Sequence, residues 1–354
     1  MALCPATAVH DQIQQFVVGI GKESLNSRIS NCYIIREVLH FDKKSIKTDT
    51  GKTADFDELV VVEGGRKYRR YLLPLLNLPD MQKIKLNDGI EMPILGYGVY
   101  LVDPSITERC VLDALSVGYR SLDTAQYYEN EAMVGAAVRA SGIPRDEIFI
   151  TSKLCQTRPS YAQAKENVKG SLRRMKLDYL DLMLIHWPMG NDSDIWLAFE
   201  DLVKEGYLRS IGVSNFYPET YEALVKNASV IPAVNQIETH VFYQQRPMVE
   251  LMARYGTAVE SWGPLAEGLN GIFTHPVLTE VGNAHGKTAA QVALRFLIQQ
   301  GIIVIPKSVH KERMIQNMDV FDFELSEDEM AAVRRLDTGH NLEGWPADAL
   351  RYNP

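Results

Sequence analysis

At 354 residues, with 46% hydrophobic and 23% charged side chains, the chain can bury a sizeable core without disulfides or a structural metal. A net charge of −8 argues against a nucleic-acid partner, because that grip needs concentrated Lys and Arg. Cys4, Cys32, Cys110 and Cys155 are scattered without a CxxC pair, so neither a disulfide framework nor a metal site is indicated.

Residues 1–81 differ in kind from the rest. They hold eleven basic residues and ten acids, a net of +1, whereas the remainder carries −9. Cys32 to Ile35 and Leu59 to Val62 are strand-like, and Arg66-Lys67-Tyr68-Arg69-Arg70 is a basic cluster. We read 1–81 as a loosely folded extension with one solvated basic face. It lacks a signal peptide's charged start and apolar run, and no stretch approaches the ~18 apolar residues of a membrane helix. The expectation is a cytoplasmic protein without a membrane partner.

From residue 82 to 354 short apolar runs alternate with amphipathic stretches. Ile84–Leu86 and Ile90–Met92 flank Asn87-Asp88-Gly89, a hairpin signal. Eight runs follow: 94–99, 120–125, 148–154, 180–187, 210–215, 233–238, 258–265 and 302–308. Leu182-Met183-Leu184-Ile185 and Ile302-Ile303-Val304-Ile305 are continuously apolar, as for parallel strands covered on both faces. The periodicity predicts helices over 104–117, 131–140, 160–175, 195–205, 218–227, 246–255, 288–300 and 311–318, with Thr288 as a cap. A further helix opens at Ser326. Eight strand–helix units over about 270 residues match a (β/α)8 TIM barrel, typically ~250 residues long. The competing doubly wound sheet lacks its GxGxxG signature here.

Barrel chemistry sits at the C-terminal ends of strands. The second strand ends at Asp123 with Tyr128 in the next loop, the third carries Lys153, and the fourth ends at His186. Burying Asp, Lys and His at three successive strand ends without purpose would cost several kcal/mol each. A phenol with an ordinary pKa of ~10 is a poor acid at neutral pH, and an adjacent ammonium can lower that value by ~1–3. A carboxylate would hold the lysine, and a neutral imidazole would donate to a bound carbonyl oxygen. No nucleophile elbow accompanies the set, so a hydride from a nicotinamide fits the missing reagent. One His and one Asp at the strand ends are too few for a catalytic metal.

Asp123-Thr124-Ala125 with Tyr128, Thr151-Ser152-Lys153-Leu154 and Leu184-Ile185-His186-Trp187-Pro188 resemble the catalytic stretches of the aldo-keto reductases in order and spacing. Leu95–Tyr100, Ile211–Phe216 and Glu260–Leu265 are similar to the bacterial branch that includes 2,5-diketo-D-gluconate reductase. The resemblance covers residues 82–354 and leaves 1–81 without a counterpart. It implies a barrel that binds nicotinamide without a Rossmann motif and reduces aldehydes or ketones, including sugar-derived carbonyls.

By that resemblance Tyr128 is the general acid, Lys153 and Asp123 tune it, and His186 orients the carbonyl. Ser214, Asn215 and Gln236 would hold the carboxamide, and Trp262 would stack on the ring. Gly263, Pro264 and Leu265 would run along the pyrophosphate. Lys307, Ser308, Val309, Arg313, Gln316 and Asn317 would form the adenosine end. Lys307 and Arg313 suit a 2′-phosphate, favouring NADPH (NADP+) with NADH as the weaker alternative. Tyr100, His186 and Trp187 would contact the carbonyl substrate, with Trp345 and Tyr352 in a covering tail.

The family also implies a monomer. The chain departs from its pattern at His310, where Arg is frequent, at Glu267, and at Glu129, where Gly is common and the backbone must therefore avoid positive φ. The alternative implied function is a nicotinamide-binding regulatory or partner subunit like the potassium-channel β-subunits, motivated by the basic extension.

Overall fold

The computed structural model describes residues 59–63, 66–70 and 82–342. The run Cys32–Ile35 and the tail residues Trp345 and Tyr352 lie outside them. The chain separates into two compact units, Met1–Leu72 and Leu73–Pro354. In the first, β1 (Leu59–Glu63) pairs antiparallel with β2 (Arg66–Arg70), from Leu59 opposite Arg70 to Glu63 opposite Arg66. The basic cluster is thus a strand.

The second unit opens with the hairpin β3 (Lys83–Lys85) and β4 (Glu91–Pro93), turned through Gly89 at φ +88°. Its loop lies against the N-terminal ends of barrel strands: Asn87 Nδ2 donates to Pro232 O at 3.0 Å and Ser210 Oγ to Asp88 Oδ2 at 2.5 Å. The hairpin therefore plugs the end opposite the expected chemistry.

Eight parallel strands form one sheet in chain order: β5 (Tyr97–Gly98), β6 (Ser121–Asp123), β7 (Phe149–Leu154), β8 (Leu180–Ile185), β9 (Leu208–Ser214), β10 (Val234–Glu238), β11 (Ala258–Trp262) and β12 (Ile303–Val304). The first and last runs close the barrel, with Gly96 N donating to Val304 O at 2.8 Å and Val304 N to Ile94 O at 2.9 Å. All eight expected runs coincide with a strand, β9 starting two residues before its run. The outer two are shorter than their apolar stretches because only their middle residues complete a ladder.

Helices α1 (Pro104–Ser116), α2 (Glu131–Ala140), α3 (Tyr161–Met175), α4 (Asp192–Lys204), α5 (Pro218–Val225) and α6 (Arg246–Tyr255) follow the first six strands. After β11 come α7 (Pro276–His285) and α8 (Ala289–Ile298); α9 (Lys311–Met318) follows β12, and α10 (Glu327–Arg334) is the last described helix. Capping boxes at Ser160/Gln163, Thr288/Gln291 and Ser326/Glu329 satisfy first-turn N–H groups. The periodicity did not reveal α7. It buries only Leu278, Val281 and Gly282, and a Cβ on Gly282 would stand 2.5 Å from Lys287 O. Its apolar stripe is too short and too glycine-dependent to stand out.

One close approach fixes where β9 lies. A Cβ on Gly212 would meet Val234 O at 2.5 Å and Leu184 Cδ2 at 2.7 Å. Glycine is required there for contact distance alone. Gly212→Ala is expected to destabilise the fold by about 1–3 kcal/mol through overpacking, read as a lowered urea midpoint at unchanged slope. A midpoint equal to the parent's would show that β9 and β10 can separate freely.

Candidate active site

Strand β6 delivers Asp123, and the chain then turns through Gln126–Tyr128 to return a phenol toward the barrel axis. Two buried contacts hold this loop: Thr124 Oγ1 donates to Asn130 Oδ1 at 2.7 Å, and Asn130 Nδ2 to Val99 O at 3.0 Å. Glu129 closes the turn at φ +56°. The expectation that its backbone would avoid the left-handed region is corrected here. The turn needs that conformation, and a non-glycine residue bears it at a local cost.

On β7, alternation of side chains sends Ser152 outward and Lys153 inward. Ser152 Oγ donates to Glu131 Oε1 at 2.6 Å, while Lys153 is fully buried. Its Nζ donates to Asp123 Oδ1 at 2.5 Å, Tyr128 OH at 3.1 Å and Thr124 O at 3.2 Å. These three partners account for the ammonium's three protons. Burial works against its charge, but Asp123 and Tyr128 outweigh burial and raise its pKa above an ordinary lysine's.

The Tyr128 hydroxyl is pushed up to about 12, first by burial and further by Asp123, with Lys153 pulling the other way. The lysine therefore does not bring this phenol below its ordinary value, as the residue types alone implied. Desolvation of the phenolate is the larger effect. The group is a fully protonated donor at neutral pH.

His186 directly follows β8, its backbone N–H continuing the ladder to Leu154 O at 3.1 Å. Burial first, then the Lys153 charge, hold its pKa well below the usual 6.5. The imidazole is therefore neutral. Its ring meets Tyr128 edge-on at 5.8 Å and stacks on Trp187 at 4.2 Å. Tyr100 lies 5.0 Å from Tyr128, and the exposed Tyr127 stands edge-on to His186 and Trp187. The sequence reading missed Tyr127, whose only signal is its place beside Tyr128 in a tight turn.

The expected cofactor residues fall into three places. Asn215, at φ +58°, donates from Nδ2 to His186 O and accepts from Trp262 Nε1 at 2.9 Å, while Ser214 Oγ donates to Gln236 O. Trp262 is half-buried beside them. Gln236 sits deeper in the barrel, its Nε2 donating to Asp123 Oδ2 at 2.9 Å and Glu260 Oε2 at 2.8 Å. Next, Gly263, Pro264 and Leu265 begin a loop in which Ala266, Glu267, Asn270 and three glycines take positive φ. Glu267 is exposed. Lastly, after β12, Lys307, Arg313 and Gln316 are exposed around the N-terminus of α9, and Val309 is half-buried. Ser308 is buried, accepting at Oγ from His310 N at 3.0 Å. Asn317 is also buried.

Among the described residues no group of three or more His, Cys, Asp or Glu side chains is arranged to hold a metal ion, and no helix is long and apolar enough to cross a membrane. Glu260, a buried acid next to the site, is a second residue the sequence reading passed over.

Comparison with known proteins agrees with this geometry. Residues 101–338 match the model of the aldo/keto reductase family. An aldo-keto reductase of Mycobacterium sp. (strain KMS) is 45% identical over 262 residues, covering 73% of this chain and 94% of that protein. Glyoxal reductase of Bacillus subtilis is 41% identical, covering 75% of this chain and 97% of its own length. The crystal structure of a Bombyx mori aldo-keto reductase in complex with NADP is 34% identical with a TM-score of 0.69, covering 74% of this chain and 94% of that one. A closed barrel of eight parallel strands with Asp123, Tyr128, Lys153 and His186 at one mouth, matched over nearly the full length of such relatives, places the chain in the aldo/keto reductase family.

Proposed function

We propose that this oxidoreductase reduces aldehydes and ketones to alcohols with NADPH, using Tyr128 as the proton donor, and that residues 82–354 carry the chemistry. The observation that carries the reading is Lys153 Nζ between Asp123 Oδ1 and Tyr128 OH, beside a neutral His186. The name of the Bacillus subtilis relative favours small carbonyls such as glyoxal as substrates.

The residues present fit a nicotinamide dinucleotide. Trp262, half-buried and fixed by Asn215, offers an indole face beside the mouth. The 263–271 loop brings successive backbone N–H groups into left-handed turns, a geometry suited to phosphate oxygens. Exposed Lys307 and Arg313 flank a helix N-terminus, whose first N–H groups lack intrahelical acceptors. Ser214 and Asn215 are assigned the carboxamide. Gln236 has its amide hydrogens committed to two carboxyls, so its share is through its oxygen.

When bound, NADPH supplies a hydride to the carbonyl carbon. Tyr128 gives its proton to the carbonyl oxygen as negative charge develops there, so one C–H and one O–H bond form and an alcohol leaves. Lys153 stabilises the phenolate left behind until solvent returns the proton, and Asp123 keeps that ammonium in place. His186, being neutral, donates a hydrogen bond to the same oxygen and fixes the carbonyl's orientation.

Tyr128→Phe is expected to bind NADPH normally and lose about 10²–10⁴-fold in kcat, measured by nicotinamide absorbance with an aldehyde; retained turnover would assign the proton elsewhere. Arg313→Ala is expected to weaken NADPH about 10- to 100-fold by fluorescence titration while leaving NADH nearly unchanged. Equal losses would separate the guanidinium from the 2′-phosphate. Because His186 is held neutral, kcat/KM should not fall as pH drops through 6.5, whereas an ordinary histidine would charge there. An acid limb centred at that pH and abolished in His186→Asn would contradict the assignment.

A further inference from the structure

Glu260 is fully buried at the middle of β11 and belongs to no part of the proton-transfer set described above. The parallel register makes it the neighbour of Gln236 on β10, and one amide nitrogen, Gln236 Nε2, bridges its Oε2 at 2.8 Å and Asp123 Oδ2 at 2.9 Å. The remaining oxygen, Glu260 Oε1, is buried with no hydrogen-bond partner. An ionised carboxylate seldom leaves an oxygen bare in a dry interior, because the desolvation penalty then goes uncompensated.

The charges around it point the same way. Asp123 on β6 and Lys153 on β7 are the charged groups that face Glu260. Its partner on β12 is Ile303, and β10 contributes the neutral Gln236. The other buried acids of the barrel strands have their own partners: Asp181 meets Arg145 and Arg209, and Glu238 meets His240. One ammonium thus serves two carboxyls, and Asp123 holds it at 2.5 Å. The carboxyl proton that balances the site belongs on Glu260.

We propose that Glu260 is a positioning residue for the reduction: as a neutral carboxylic acid it fixes Gln236, and through Gln236 it holds the Asp123 carboxylate in the orientation that keeps Lys153 against Tyr128. The proposal rests on Tyr128 being the proton donor. The acid is held protonated first by burial and then by the Asp123 charge, which together raise its pKa to about 8. Its ionisation would place a second negative charge beside the Asp123–Lys153 pair, draw the ammonium inward and further disfavour the phenolate. Glu260 therefore sets an alkaline limit on the site.

Three variants in the full chain test this. Glu260→Ala leaves Gln236 one acceptor short and is expected to lower kcat by up to about a hundredfold, with KM and NADPH affinity little changed, because a displaced donor is felt in the transition state. Glu260→Gln, permanently neutral and able to accept from Gln236, is expected to rescue that loss and to flatten the alkaline change in the rate profile. A second readout needs no turnover. Unfolded, Glu260 gives up its proton near 4.5, but the fold retains it to about 8. Between those values the native state binds more protons, so stability falls as pH rises. The advantage of Glu260→Gln over the parent in melting temperature should widen across that window and then level off.

Superimposable rate and melting profiles for Glu260→Gln and the parent would overturn the proposal, as would full kcat in Glu260→Ala. If Glu260→Ala fails to fold, the two Glu260→Gln profiles decide. Tyr128→Phe, measured alongside, separates the two readings. Retained turnover there overturns the assignment of the acid, whereas lost turnover with unchanged Glu260→Gln profiles overturns only the role of Glu260.

Discussion

The ion pair between Lys153 and Asp123, closed to solvent inside the barrel, is the constraint around which the site is arranged. Two charges withdrawn from water cost several kcal/mol each unless nearly every hydrogen-bonding position is filled. The lysine meets that demand with three acceptors, and Asp123 with the ammonium on one oxygen and Gln236 on the other. Removing one partner would leave a bare charge, so the phenol, the carboxylate and the amide are held by the same requirement. The phenol's place at the mouth follows from the needs of a buried cation.

The barrel supplies this arrangement cheaply because parallel strands bring their C-terminal ends to one rim. The irregular backbone is concentrated at that rim. Glu129, Asn215, Ala266 and Glu267 all adopt left-handed conformations in the loops that leave β6, β9 and β11, whereas the plugged end is closed by a glycine-turned hairpin. Asn accepts such a conformation more readily than Glu or Ala, so the burden at 129, 266 and 267 is the greater. Strain of this kind is consistent with loops shaped for what they hold.

Electrostatically, the site separates its groups by environment. Burial raises the Tyr128 phenol and Glu260 carboxyl and lowers the His186 imidazole, so each is kept in its neutral form. Lys153 stays charged against burial because the Asp123 carboxylate is in contact with it, and the two form the buried ion pair of the site. A single fixed positive charge among neutral donors is a suitable environment for an oxygen that becomes negative as it is reduced.

The order of eight apolar runs, the capping residues Thr288 and Ser326, and the Asp, Tyr, Lys and His at strand ends were all legible along the chain. Each depends on spacing or local hydrogen bonding that short stretches encode. Helix α7 was not legible, since its buried face is completed by contacts with the loop after it. The sign of the Tyr128 shift was also hidden. Residue types announce an ammonium beside a phenol, but not how much water the fold removes from both. Glu260 and Tyr127 carry no periodic signal either. Their partners come from β6, β10 and the residues that follow β8, segments far apart along the chain that only the assembled barrel brings together. Local pattern determined which elements form and which groups reach the rim; tertiary packing decided which carboxyl keeps its proton, because desolvation and pairing are properties of the assembled interior.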